Sequence, residues 1–194
     1  SFIAIITYLN IYGYETNKFN DIISKKINNV NNNVSIDFIK IKLKLDLKEA
    51  SFYFSTKTPK INYYNNDILI NELKVYTKFK SMFSKKILIN KIYLNSGEIK
   101  VKKIQKIFLN YKPSNFKSII INNVTNGIIK SNIELFIDNN YELINYNLKG
   151  YAKKIDIELP EKFYIKRSSF NFFLTKKTGR IENLSGKIND IAFN

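Results

Sequence analysis

The stretch IKIKLKLDL (39–47) alternates aliphatic and charged side chains without a break. Ile39, Ile41, Leu43, Leu45 and Leu47 fall on one side, and Lys40, Lys42, Lys44 and Asp46 on the other. A period of two held over nine positions describes a β-strand with one dry and one wet face. The same alternation recurs in SFYFSTK (51–57), DILINELKVYTKF (67–79), ILINKIYL (87–94), EIKVKK (98–103), SIIINNV (118–124), SNIELFI (131–137), KIDIELP (154–160) and FNFFL (170–174). Turn-forming residues separate these runs, at NND (65–67), NSG (95–97), NG (126–127), DNN (138–140) and TG (178–179). SMFSKK (81–86) reads as one helical turn between strands.

One longer helix is expected, before the strands begin. In TNKFNDIISKKINNV (16–30), Phe19, Ile22, Ile23, Ile27 and Val30 recur at three- and four-residue intervals and form one apolar stripe. Thr16 or Asn17 can cap it, Asp21 and Lys25 form an i,i+4 pair, and the Asn-rich run at 28–33 ends it. Ahead of it, SFIAIITYLNIYGYE (1–15) carries no charge for 14 positions. That is shorter than the roughly 18–20 apolar residues that span a bilayer, and we read it as the remnant of a membrane anchor. The competing reading is an ordinary buried first helix or strand. The expected organisation is therefore an anchor remnant at 1–14, an amphipathic helix at 15–32 and a single β module at 33–194.

The 194 residues suffice for one domain with its own core. Lys, Ile and Asn dominate, with 30, 33 and 28 copies against two Arg, a bias that AT-rich codons produce, so net charge alone is weak evidence of a partner. The charge is unevenly spread: Leu73 to Lys130 holds 13 Lys and one acid, Glu98. Such a block suits phosphates, of nucleic acid or of lipid headgroups. Cys, His and Trp are absent, which excludes disulfides, thiolate and His-containing metal sites and His bases.

No motif encodes catalysis, and no cofactor or metal is expected. The six glycines form neither a dinucleotide fingerprint nor a phosphate loop. SNFK (114–117) and KTG (177–179) match two of the three penicillin-binding motifs, but they are too close together and SNFK is expected to run into a strand. Asp156 and Glu158 share one wet strand face flanked by lysines, where carboxylates are ordinarily solvated. Nucleic-acid binding has the basic block and Tyr93, Phe108 and Tyr111 in its favour, but Arg, the residue for bidentate contacts, is nearly absent, so no nucleic acid is expected. A dry face on many strands with one helix to cover it leaves two outcomes. Either the sheet closes as a sandwich, acting as a structural or interaction domain, or the face stays open as a trough for hydrocarbon.

The order of these features resembles the N-terminal part of the AsmA-like family, which includes the TamB- and YhdP-type bacterial envelope proteins. An apolar start ending near GYE is followed by FNDIISKKI (19–27), VSIDFIKIKLKLDL (34–47), PKINYYNNDILINELKVY (59–76), KSMFSKK (80–86) and ILINKIYLNSGEIKV (87–101). NGIIKSNIELFI (126–137), NYNLKGYAKKIDIEL (145–159) and FNFFL resemble the family's following β-repeats. The resemblance implies a protein anchored in the inner membrane and facing the periplasm. Its curved antiparallel sheet would form an open hydrophobic groove that conducts phospholipids toward the outer membrane. The groove candidates are Ile39, Ile41, Leu43, Leu45, Phe52, Phe54, Ile68, Ile70, Val75, Ile87, Ile89, Ile99 and Val101, with Lys100 and Lys102 pointing to water. Ile92 and Leu94 follow Ile89 at an odd offset, which predicts a bulge near Asn90–Lys91. The expected partners are phospholipid acyl chains and the membrane holding the anchor.

Overall fold

The computed structural model describes residues 2–17, 20, 24, 33–38, 40–78, 88–110, 113–160 and 163–194. The chain opens with helix α1 (Phe2–Ile11) and a short strand β1 (Tyr14–Thr16). Strands β2 (Val34–Asp37), β3 (Ile41–Asp46), β4 (Ser51–Lys57), β5 (Lys60–Tyr63), β6 (Asn66–Lys78), β7 (Ile89–Ser96) and β8 (Ile99–Lys100) follow. Two helices, α2 (Val101–Leu109) and α3 (Asn115–Asn123), then interrupt the strands. The chain ends in β9 (Val124–Ile137), β10 (Leu143–Leu159), β11 (Phe163–Thr175), β12 (Gly179–Ile188) and β13 (Ile191–Phe193).

All 13 strands belong to one antiparallel sheet with the order β1-β3-β4-β6-β7-β9-β10-β11-β12-β13. β2 and β5 extend it beside the first half of β6, and β8 adds to β9. The end strands β1 and β13 do not pair with each other, so the sheet is open. β4 and β5 are one path broken at Thr58–Pro59. Pro59 has no N–H to give a ladder, Thr58 adopts a left-handed φ of 45°, and its N–H donates to the Asn71 carbonyl at 2.9 Å. The β5–β6 hairpin turns on Tyr64 and Asn65, both with positive φ, as a two-residue hairpin with the sheet's twist requires.

A line of bends crosses the far half of the sheet. Gly127 (φ 136°) on β9, Lys154 (52°) on β10, Arg167 (51°) on β11 and Asn183 (53°) on β12 all have positive φ, where the registers of these strands slip. Each inserted residue bends its strand and tightens the twist, and bulges in four neighbouring strands bend the sheet along one line. Asp156 braces that line. One of its carboxylate oxygens accepts from the Arg167 backbone N–H at 2.8 Å and the other from Asn126 Nδ2 at 3.3 Å.

Several expectations need correction. EIKVKK is a strand only through Lys100; Val101 begins α2, because Val101, Ile104 and Phe108 also fit a helical stripe and Val101 is buried among Val124, Ala152 and Ile155. Of SIIINNV, residues 118–123 belong to α3, and only Val124 opens a strand, β9. Ser114 caps it, its Oγ accepting from the Lys117 N–H at 3.1 Å, behind Pro113. SNFK therefore opens a helix rather than running into a strand. Asn126–Gly127 is not a turn but lies inside β9, and β12 and β13 were not anticipated. The predicted slip near Asn90 is present: Tyr76 pairs with Lys91 but Thr77 with Ile89. Of the expected helix at 15–32, Asn20 and Ser24 are described and are helical, whereas Glu15 and Thr16 are in β1. Asn17 is a bend, and the remaining residues of that helix and SMFSKK lie outside the described residues.

Candidate functional site: the apolar face of the open sheet

In an antiparallel ladder, residues directly opposite each other share a face. One row runs Tyr14–Leu43–Phe54–Val75–Ile92–Leu135–Tyr146 across seven strands. The next runs Thr56–Leu73–Leu94–Ile133–Leu148–Leu174. Further rows are Leu45–Phe52–Thr77–Ile89 on one side and Ile99–Ile129–Ala152–Phe170 on the other. Apart from Thr56 and Thr77 these rows are aliphatic and aromatic; between the second and the last of them, Ser96 and Ser131 meet beside Gly150, the Ser131 N–H donating to Ser96 Oγ at 2.8 Å.

The opposite face carries Lys42–Ser55–Lys74–Tyr93–Glu134–Asn147 and Lys44–Tyr53–Tyr76–Lys91–Phe136. Tyr53 stacks on Tyr76 with centroids 5.0 Å apart, the Lys91 ammonium lies 4.0 Å from the Tyr76 centroid, and Lys91 pairs with Glu49. Burial, with the carboxylates of Glu49 and Asp46 adding to it, pushes the Tyr76 hydroxyl well above its usual range. Asn95 Nδ2 donates to Asn132 Oδ1 at 2.6 Å across β7 and β9. Amides, phenols and ammonium groups hold each other here, so the two faces differ in chemistry throughout.

The apolar face is packed at its N-terminal half and accessible beyond it. Ile41 (2% exposed), Leu73 (5%) and Phe54 (6%) are buried. With Phe38, Thr56 and Val75 they line a cavity of only about 10 Å³, room for one water at most. Thr56 Oγ1, buried there, has no hydrogen-bond partner. Along β7, β9, β10 and β11, by contrast, Ile92, Leu94, Ile133, Leu135, Leu148, Phe172 and Leu174 are half-buried, and Ile181 on β12 is 59% exposed. Ser131 and Gly150 sit side by side between them and leave a low floor. Gly150 is obligatory, since a Cβ would lie 2.0 Å from the Lys130 carbonyl oxygen.

Each end of the face meets helices. At the Leu43 end, α1 forms an apolar cleft of about 450 Å³ with Tyr14 and Leu43. Glu15 pairs with Lys40, just before β3, at 2.7 Å and with Lys42 on β3 at 3.7 Å, and the Lys40 contact holds its carboxyl below the usual range. At the other end, α2 and α3 close over Ile129, Ala152 and Phe170. Gln105 Nε2 clamps this pair, donating to the carbonyls of Ile120 at 2.8 Å and Val124 at 2.6 Å.

Of the residues expected to line a groove, Leu43, Phe52, Val75, Ile89 and Ile99 are half-buried on the apolar face, and Ile68 is half-buried beside it. Ile41, Leu45, Phe54 and Ile70 lie on the same side but are buried. Val101 is buried on α2 rather than on a strand, Lys100 and Lys102 are exposed, and Ile39 and Ile87 fall outside the described residues. The accessible apolar residues of β9–β11 were missed as candidates, although SNIELFI and FNFFL displayed their period-two signal.

Among the described residues, no His, Cys, Asp or Glu cluster could hold a metal ion. No helix among them is long and apolar enough to cross a membrane; α1 has ten residues. No family model, no curated protein and no solved structure matches the chain.

Proposed function

We propose that this chain is a lipid-binding groove segment that holds hydrocarbon tails on the apolar face of its sheet and performs no chemical step. The observation carrying this reading is the open sheet whose aliphatic rows are only half-buried from β7 to β11. An apolar surface of this continuity normally marks an interaction site, and an acyl chain matches its chemistry and its length along the rows. The resemblance to AsmA-like proteins, with phospholipid transport between the inner and outer membranes and attachment through the apolar N-terminal segment, belongs to the same reading. The apolar, exposed surface of α1, where Ile3 is 75% and Ile5 58% exposed, favours that attachment. A closed sandwich would bury these rows between two layers, whereas they are only half-buried from β7 to β11 and Ile181 is 59% exposed.

The test is solvent extraction and mass spectrometry of the purified chain. Phospholipid in a fixed ratio to protein supports the proposal. A folded, monodisperse chain that carries none, and takes none up from vesicles, overturns it.

A further inference from the structure

We infer that the α2–α3 hairpin docks on a bilayer surface bearing anionic headgroups. This rests on the lipid reading but concerns a different surface from the apolar face. From Ile99 to Ile133 the chain holds no acid, and Lys100, Lys102, Lys103, Lys106 and Lys117 all lie on or beside the two helices. On α2, Lys102, Lys106 and Leu109 recur at four- and three-residue spacing and are all exposed, so they form one outward stripe. The inward stripe, with Val101 at its start, packs on β9 and β10. At the end of α2, Leu109 is 62% exposed, and Ile119, midway along α3, is 52% exposed. Glu98, just before the hairpin, is taken up by the Tyr151 hydroxyl at 2.7 Å.

Ammonium groups flanking exposed aliphatic side chains fit an interface of phosphates over hydrocarbon. Nucleic acid would call for aromatic platforms or Arg, and the exposed stripe has neither. The position is informative too. The row containing Leu43 and Tyr14, beside α1, crosses β9 at Leu135, while the hairpin sits at the Val124 end, roughly 35 Å away along the strand. The hairpin contact is therefore separate from any contact made by α1, and the accessible apolar face lies between the two.

The experiment is flotation of the whole chain with vesicles of pure phosphatidylcholine and of phosphatidylcholine mixed with phosphatidylglycerol. Because α1 is apolar on every side, the readout is the difference between the two vesicle types. The chain should prefer the mixed vesicles, and half-molar salt should erase the preference. The Lys100→Gln/Lys102→Gln/Lys106→Gln variant should lose about a hundredfold on mixed vesicles, roughly fivefold per lysine, and nothing on pure phosphatidylcholine. Leu109→Ser/Ile119→Ser should weaken mixed-vesicle binding with the lysines intact. Circular dichroism checks that these exposed substitutions leave the fold unchanged.

Equal partitioning of the parent, or a triple-lysine variant that floats like the parent, overturns the inference. So does displacement by a single-stranded oligonucleotide together with indifference to Leu109→Ser/Ile119→Ser, which would mark a nucleic-acid surface. The two readings fail separately. If the lysine variant keeps its co-purified phospholipid and loses only the preference for anionic vesicles, both stand. A chain that prefers anionic vesicles but holds no lipid leaves the hairpin reading alone.

Discussion

Replacing Ile133 by aspartate puts a carboxylate at the centre of the apolar face, between Leu94 on β7 and Leu148 on β10. Ile133 is half-buried, so water still reaches this position in the lipid-free sheet. The folding cost is then mainly the lost aliphatic contact, about 1 kcal/mol. With an acyl chain lying over it, the carboxylate loses its water and gains no hydrogen bond. That costs about 3 kcal/mol or more, and about 3 kcal/mol is roughly a hundredfold in lipid affinity. Lipid cover disfavours the charged form, which raises the aspartate pKa in the lipid-bound state. Lipid binding should therefore strengthen as pH falls through the carboxyl range, returning toward the parent below about pH 5. The control is Asn132→Asp one residue away, which faces the other side and keeps the oxygen that accepts from Asn95. The assay is bound phospholipid per protein by mass spectrometry, with urea unfolding for stability. An Ile133→Asp protein that folds and retains phospholipid like its parent would refute the assignment of this face.

Asp156→Ala should lower stability by about 1–2 kcal/mol in urea unfolding, because the Arg167 N–H in the bulge line loses its acceptor. Gly150→Ala should cost about 3 kcal/mol, at the high end for overpacking, since the new Cβ meets backbone on β9 rather than a movable side chain. Gln105→Ala should speed amide hydrogen exchange in α2 and α3 while leaving β3–β6 protected, because the carbonyls of Ile120 and Val124 lose their shared donor. In an alkaline titration followed by phenolate absorbance, Tyr76 should ionise above the ordinary tyrosine range. Its folded-state pKa lies above the unfolded value of 10.0, so its contribution to stability is present below pH 10.0 and is lost as pH rises beyond it. Tyr76→Phe should flatten that alkaline decline.

The strands that were legible are those with two chemically different faces. IKLKLD and SFYFSTK alternate because one side meets the aliphatic rows and the other meets lysines, tyrosines and water. β12 gives no such signal: GRIENLSGKI lies near the sheet's edge, exposed along most of its length, so neither side had to be apolar. VKKIQKIFL satisfies both periods at its start, and local pattern cannot choose between them. Val101 favours the helix because Val124, Ala152 and Ile155 supply a core for it. Asn126–Gly127 looks like a turn because glycine tolerates positive φ, but the same freedom serves a bulge when a neighbouring strand pairs through it.

Sequence alone determined which side chains share a face in strands such as β3 and β4, the slip at Asn90, the basic segment with its single acid and the lack of any His or Cys chemistry. These depend only on the two-residue repeat of a strand and on counting. Tertiary structure decided that the sheet stays open, that Ile41, Phe54 and Leu73 are packed while Ile133, Leu135 and Leu148 remain reachable, and that α2 and α3 close one end. Burial depends on which distant segments cover a face. Strand periodicity reports that a face is apolar and carries no record of what, if anything, lies over it.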